Sequence, residues 1–97
     1  MRIISRSTLK TFWEKHPASE EPLKTWFKIT SGAQWKTPAD VKACYGSADI
    51  LKDGRVIFDI GGNKYRIVAW INYDFGVVYI RFVGTHRQYD AIDAQTV

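Results

Sequence analysis

The chain holds one cysteine, Cys44, and two histidines, His16 and His86. A single cysteine cannot close an internal disulfide, and one cysteine with two histidines falls short of a structural zinc set. That usage implies a reducing, cytoplasmic setting, and the opening MRIISRSTLK lacks the long apolar segment of a secretion signal. No run of about 18 apolar residues occurs, so the sequence offers no membrane-spanning helix and reads as a soluble protein. Repeats, linkers and low-complexity stretches are missing as well, and 97 residues suit one domain, 1–97, with a single modest core. What the chain does have is a 45% hydrophobic and 14% aromatic content, too apolar for a disordered chain. Its 14 Lys+Arg against 10 Asp+Glu leave a formal charge of +4, which attracts a polyanion such as RNA but equally serves solubility.

Helical spacing comes first along the chain. After a possible short strand at Arg2 to Ile4, Ser7 reads as an N-cap, with Leu9, Phe12, Trp13 and His16 on one stripe before Pro17 stops it. Ser19 reads as the cap of a second helix, with Glu20 and Glu21 in the first turn and Leu23, Trp26, Phe27 and Thr30 as its stripe. Thr37, Pro38 and Asp40 have the spacing of a capping box, opening a third turn that runs out near Gly46. After Asp49 the period becomes extended. Asp53-Gly54 punctuates, Arg55 to Ile60 forms a strand, Gly61-Gly62-Asn63 turns it, Lys64 to Ile71 returns, and Val77 to Val83 follows a second turn. Helices followed by a three-strand antiparallel meander define an α+β class, two helices covering one sheet face.

Strand alternation puts Lys64, Arg66, Val68 and Trp70 on one face and Tyr65, Ile67, Ala69 and Ile71 on the other, toward the helices. In the last strand it sends Val78, Ile80 and Phe82 inward and Val77, Tyr79, Arg81 and Val83 outward. Arg66 and Arg81 then share an open sheet face with Lys64, Trp70 and Tyr79, a basic and aromatic concavity, and Thr85-His86-Arg87-Gln88-Tyr89-Asp90 leaves the last strand beside it. Cations on a solvent-facing sheet are commonplace, and edge lysines also guard against aggregation. A histidine and a tyrosine gathered beside such cations are less so. RNA cleavage through the 2′-OH needs a base, cationic donors for the charge gathering on phosphorus, and an acid for the leaving 5′-oxygen. Arg66, Arg81, Lys64 and Arg87 suit the phosphate, His86 and Tyr89 suit the proton transfers, and Trp70 and Tyr79 offer stacking surface for an unpaired base. This parts list calls for no metal or cofactor.

The hairpin Gly61-Gly62-Asn63-Lys64-Tyr65-Arg66-Ile67-Val68-Ala69, the later Tyr79-Ile80-Arg81 and the Thr85-His86-x-x-Tyr89-Asp90 tail resemble the HigB family of bacterial toxins within the RelE-like ribonucleases. The likeness covers nearly the whole chain and includes the opening Met-x-Ile-Ile-Ser. It implies a RelE-like fold and a metal-independent endoribonuclease that cuts messenger RNA, typically on the 70S ribosome. It also implies silencing by a cognate HigA-type antitoxin with a helix-turn-helix domain. Carried over by position, it makes Arg66, His86 and Tyr89 the catalytic candidates. The alternative is a binding module that uses the same basic face on RNA or protein without chemistry.

The remaining prominent residues read as structure. Phe12, Trp13, Trp26 and Trp35 are helix-stripe or core aromatics, and Trp35 or Phe75 is a candidate for an antitoxin-covered surface. Cys44 reads as a small core residue, and Gly61-Gly62, with no helix after it, as a hairpin turn rather than a phosphate loop.

Overall fold

A computed structural model describes residues 1–97. In chain order it holds β1 (Arg2–Ile4), α1 (Arg6–Lys15), α2 (Glu20–Gly32), α3 (Pro38–Cys44), β2 (Asp49–Ile50), β3 (Arg55–Ile60), β4 (Tyr65–Asn72), β5 (Val77–Thr85) and α4 (His86–Asp90). The first helix starts two residues earlier than the Ser7 cap implies. Ser5 precedes it in the left-handed region, φ 73, and its side chain caps nothing. Ser19 likewise does not cap α2; buried, it donates its hydroxyl back to the His16 carbonyl at 2.6 Å and closes a 3₁₀ turn over Pro17–Ser19. The α3 start is as its spacing predicts, Asp40 N–H donating to Thr37 Oγ1 at 3.3 Å and Thr37 N–H to Asp40 Oδ2 at 3.1 Å. Cys44, at the end of that helix, is exposed rather than in the core. The turn after it faces water and leaves nothing to bury a thiol against.

The five strands run β1-β5-β4-β3-β2 across one sheet. The meander β3-β4-β5 is the expected one, and Gly61, Gly62 and Asn63 turn it at φ 63, 63 and 84. Lys64 belongs to that turn and not to β4. β1 joins in parallel beside Val77–Tyr79, while β2, two residues long, pairs with Val56 and Ile57 and has no readable pattern of its own. Leu9, Leu23 and Trp26 from the helices bury against Phe58, Ile67, Ala69, Ile71, Val78 and Ile80. Phe58 is the hub, its ring 5.3 Å from Trp26, 6.1 Å from Trp35 and 5.2 Å from Tyr45. Trp35 is therefore a core residue and no partner surface; Phe75, at the β4–β5 turn, is 81% exposed.

One irregularity decides what the far side of the sheet carries. Val68 pairs with Phe82 and Ala69 with Ile80, so Arg81 is an extra residue without a partner, a β-bulge. Alternation inverts there. Val83 turns in to pack on the core, and Phe82, expected inward, lies on the far side with Val68 and Gly84. That side is not open either: Ile57 and Val68 are buried on it because α4 and residues 91–97 fold back across it. A Cβ on Gly84 would lie 2.5 Å from the Phe82 ring and 3.0 Å from Gln88 Oε1. Gly84→Ala should therefore destabilise the fold by about 1–3 kcal/mol, the usual cost of overpacking, read from the urea midpoint. Gly46→Ala, where a Cβ meets nothing within 4 Å, is the control and should shift it little.

Candidate active site

Arg66 sits on β4 directly opposite Asp59 of β3 and Gly84 of β5. It is only 8% exposed, and a buried cation is tolerable only when its donors are met. Nε pairs with Asp59 Oδ1 at 3.0 Å, and Nη1 donates to the carbonyls of Asn63 at 3.0 Å and Tyr65 at 3.3 Å. The guanidinium is thereby held in one plane, its carbon 5.6 Å from the centre of the Tyr89 ring. Nη2 makes no such bond and remains the free donor pair.

The segment after β5 is folded as sharply as the strands. Thr85 Oγ1 accepts from Gln88 N–H at 3.2 Å while Gln88 Oε1 accepts from Thr85 N–H at 2.8 Å, a capping box that starts α4. His86 N–H donates to the Lys64 carbonyl at 3.1 Å, tying the helix to the β3–β4 turn. Within α4, His86 Nδ1 lies 3.1 Å from Asp90 Oδ2 one turn on, both side chains at least half exposed. The partner of the imidazole is thus a carboxylate, where the sequence suggested a crowd of cations; the short helix brings Asp90 round to it. A carboxylate on Nδ1 orients the ring and leaves Nε2 for a substrate. Burial pushes the Tyr89 phenol up from its ordinary range, Asp49, Asp90 and Asp59 push the same way, and Arg66 opposes them. The phenol stays protonated and able to donate.

The expected residues therefore divide into two groups. Arg66, His86 and Tyr89 come together at the α4 end of the far sheet side, with Lys64 exposed in the adjoining turn and Arg87 exposed on α4. Trp70, Tyr79 and Arg81 lie on the same side of the sheet but beyond the buried Ile57-Val68 row. There Trp70 and Tyr79 face each other with ring centres 5.1 Å apart, and Arg81 Nε donates to the main-chain oxygen of Val97 at 3.3 Å. Arg66 and Arg81 thus share a face without sharing a site. Asp59 escaped the sequence reading, Asp90 entered it only within the tail motif and not among the site residues, and Arg55 escaped it too. Register could have found the first and last: a turn closed by Ile60 and Tyr65 sets Asp59 against Arg66 and Arg55 against Trp70.

A mostly antiparallel sheet backed by helices on one side is the architecture of a RelE-like toxin fold, and an arginine, a tyrosine and a histidine–carboxylate pair lie at one end of its other side. A family profile described as HigB_toxin, RelE-like toxic component of a toxin-antitoxin system, matches residues 19–92. The chain is 33% identical over 96 residues to the mRNA interferase toxin HigB of Escherichia coli K12, a match spanning 97% of this chain and 92% of that one. The mRNA interferase HigB of Shigella flexneri matches with the same figures, and that of Escherichia coli O6:H1 is 23% identical over 94 residues. The chain belongs to the HigB family of toxins, the toxic halves of toxin–antitoxin pairs.

Two measurements check the geometry. A double-mutant cycle of Asp59→Ala and Arg66→Ala in urea unfolding should return a coupling of about 1–3 kcal/mol, within the range of contacting polar pairs, and none if the two side chains do not meet. Because folding raises the Tyr89 phenol, the unfolded chain loses that proton first. The contribution of Tyr89 is thus whole below about pH 10 and declines as pH rises past it. Tyr89→Phe should flatten the fall of the urea midpoint between about pH 9.5 and 11 relative to the parent chain.

Proposed function

We propose that the chain is an mRNA interferase, an endoribonuclease that cleaves messenger RNA on translating ribosomes in the cytoplasm and is silenced by a HigA-type antitoxin with a helix-turn-helix domain. The relatives named mRNA interferase support the reaction, and no helix here is long and apolar enough to cross a membrane. The observation that carries the reading is a buried guanidinium with one free amino group lying 5.6 Å from the ring of Tyr89, on the same short helix that carries an imidazole backed by a carboxylate.

In this reading the scissile phosphate docks on Nη2 of Arg66, with Lys64 and Arg87 supplying further positive charge at the rim. His86 Nε2 takes the proton of the 2′-OH, the 2′-oxygen forms its bond to phosphorus, and charge builds on the equatorial oxygens facing Arg66. The bond from phosphorus to the 5′-oxygen breaks as Tyr89 gives that oxygen its proton. A 2′,3′-cyclic phosphate and a free 5′-hydroxyl result. Asp90 acts through His86 by fixing its ring, and Asp59 through Arg66 by fixing its plane.

Induced expression in a bacterial host, with 5′-end mapping of messenger RNA, tests this. The parent chain should arrest growth and create new cut sites, while Arg66→Ala and His86→Ala at matched protein levels should lower cleavage by about 100-fold or more, the usual loss for a positioned acid–base group. Arrest by all three without new cuts would replace the enzyme with a binding module.

A further inference from the structure

Three strands place Arg55, Trp70 and Tyr79 in direct register, so a cation and two rings form one row across the far sheet side, with the bulged Arg81 beside it. The indole is fixed, Nε1 donating to the Asp53 carbonyl at 2.8 Å. Neither arginine of the row pairs with an Asp or Glu side chain. Both converge instead on a single main-chain oxygen, that of Val97, and Arg55 Nη1 also donates to the Ala94 carbonyl at 3.3 Å. Two guanidiniums aimed at one oxygen make a site suited to an anion, and their charge-assisted bonds to a phosphate would be among the strongest such a pair can form.

The segment supplying those oxygens is lightly attached. None of residues 91–97 is buried, the turn at Asp93 is closed by bonds of its own from Gln95, Thr96 and Val97, and apart from the two arginines the polar tie across the sheet side is Gln95 Nε2 to the carbonyl of Lys52, in the turn between β2 and β3, at 3.0 Å.

We propose that Arg55, Trp70, Tyr79 and Arg81 form a second nucleotide subsite for single-stranded RNA, filled in the free protein by residues 94–97, whose main-chain oxygens stand where a phosphate goes and leave when RNA binds. This rests on the RNA-cleaving reading and adds Arg55 and the tail to it. The rings take an unpaired base and the two arginines its phosphate, some way along the strand from Arg66.

The test uses the full chain and a mixed-sequence RNA made uncleavable by 2′-O-methyl groups, with binding read by anisotropy. Arg55→Ala and Trp70→Ala should each weaken binding about tenfold, the loss expected of one charge-assisted contact or one stacked base, while Lys28→Ala on α2 should change it less than about twofold. A nitroxide on Thr96→Cys in a Cys44→Ser background should sharpen its spectrum when that RNA is added. If Arg55 only holds the tail down, Arg55→Ala will bind RNA as tightly as the parent or tighter, and the subsite is overturned. A nitroxide spectrum unchanged at saturating RNA overturns the displacement. A parent chain that binds no RNA sinks the underlying reading instead.

Discussion

Thr85 and Gln88 each bond the other's main chain, and the end of β5 becomes a helix where it does because of that exchange. The capping box directs the chain across the sheet instead of past it. His86 and Tyr89 stand one turn apart on the short helix, and Asp90 closes on His86 only because the turn is helical. The space for the box comes from Gly84, which lacks the Cβ that would press on Gln88 and on the Phe82 ring. Packing inside one strand thus decides where the candidate proton-transfer groups are carried.

Charge in the site is arranged by pairing more than by accumulation. Arg66 makes three bonds to the protein's own acceptors, so its remaining donor group is narrow and fixed. For the proposed RNA cleavage that is preorganisation: the donor is aimed before a phosphate arrives, and its planar fork loses little freedom on binding one. Asp59 and Asp49 near Tyr89 would repel RNA if the face acted as a simple cationic patch. Their presence suits a site where protonation states matter as much as attraction.

Much of this was legible in the sequence. Gly61-Gly62-Asn63 located the hairpin because only such residues turn at positive φ, and the Thr37-Pro38-Asp40 spacing located α3 because capping chemistry is local. The inward set of β4 followed from strict alternation. What failed was nonlocal. Nothing in the order Tyr79-Ile80-Arg81-Phe82-Val83 announces a bulge, which shows only in the pairing of β5 with β4. Ser7 and Ser19 misled because a serine's hydroxyl can serve several partners: Ser7 lies inside α1, and Ser19 bonds back to His16. The covered far side was hidden because Ala91 to Val97 has no periodic pattern; its place is set by two arginines distant in sequence.

The bulge works as a phase shifter in β5. Before it the odd-numbered residues Val77 and Tyr79 look away from the helices, after it the even-numbered Phe82 and Gly84 do, and Arg81 marks the change of step. The strand can thereby serve two unlike neighbourhoods with one continuous backbone, a ring-and-cation row at one end and a glycine shelf for α4 at the other. Were Arg81 drawn into a regular place opposite Val68, alternation would run unbroken, Phe82 would replace Val83 at the core and the launching point of α4 would turn to the wrong side of the sheet. The one unpaired residue is what keeps the two ends of the strand out of phase, and so what lets a single strand answer to both.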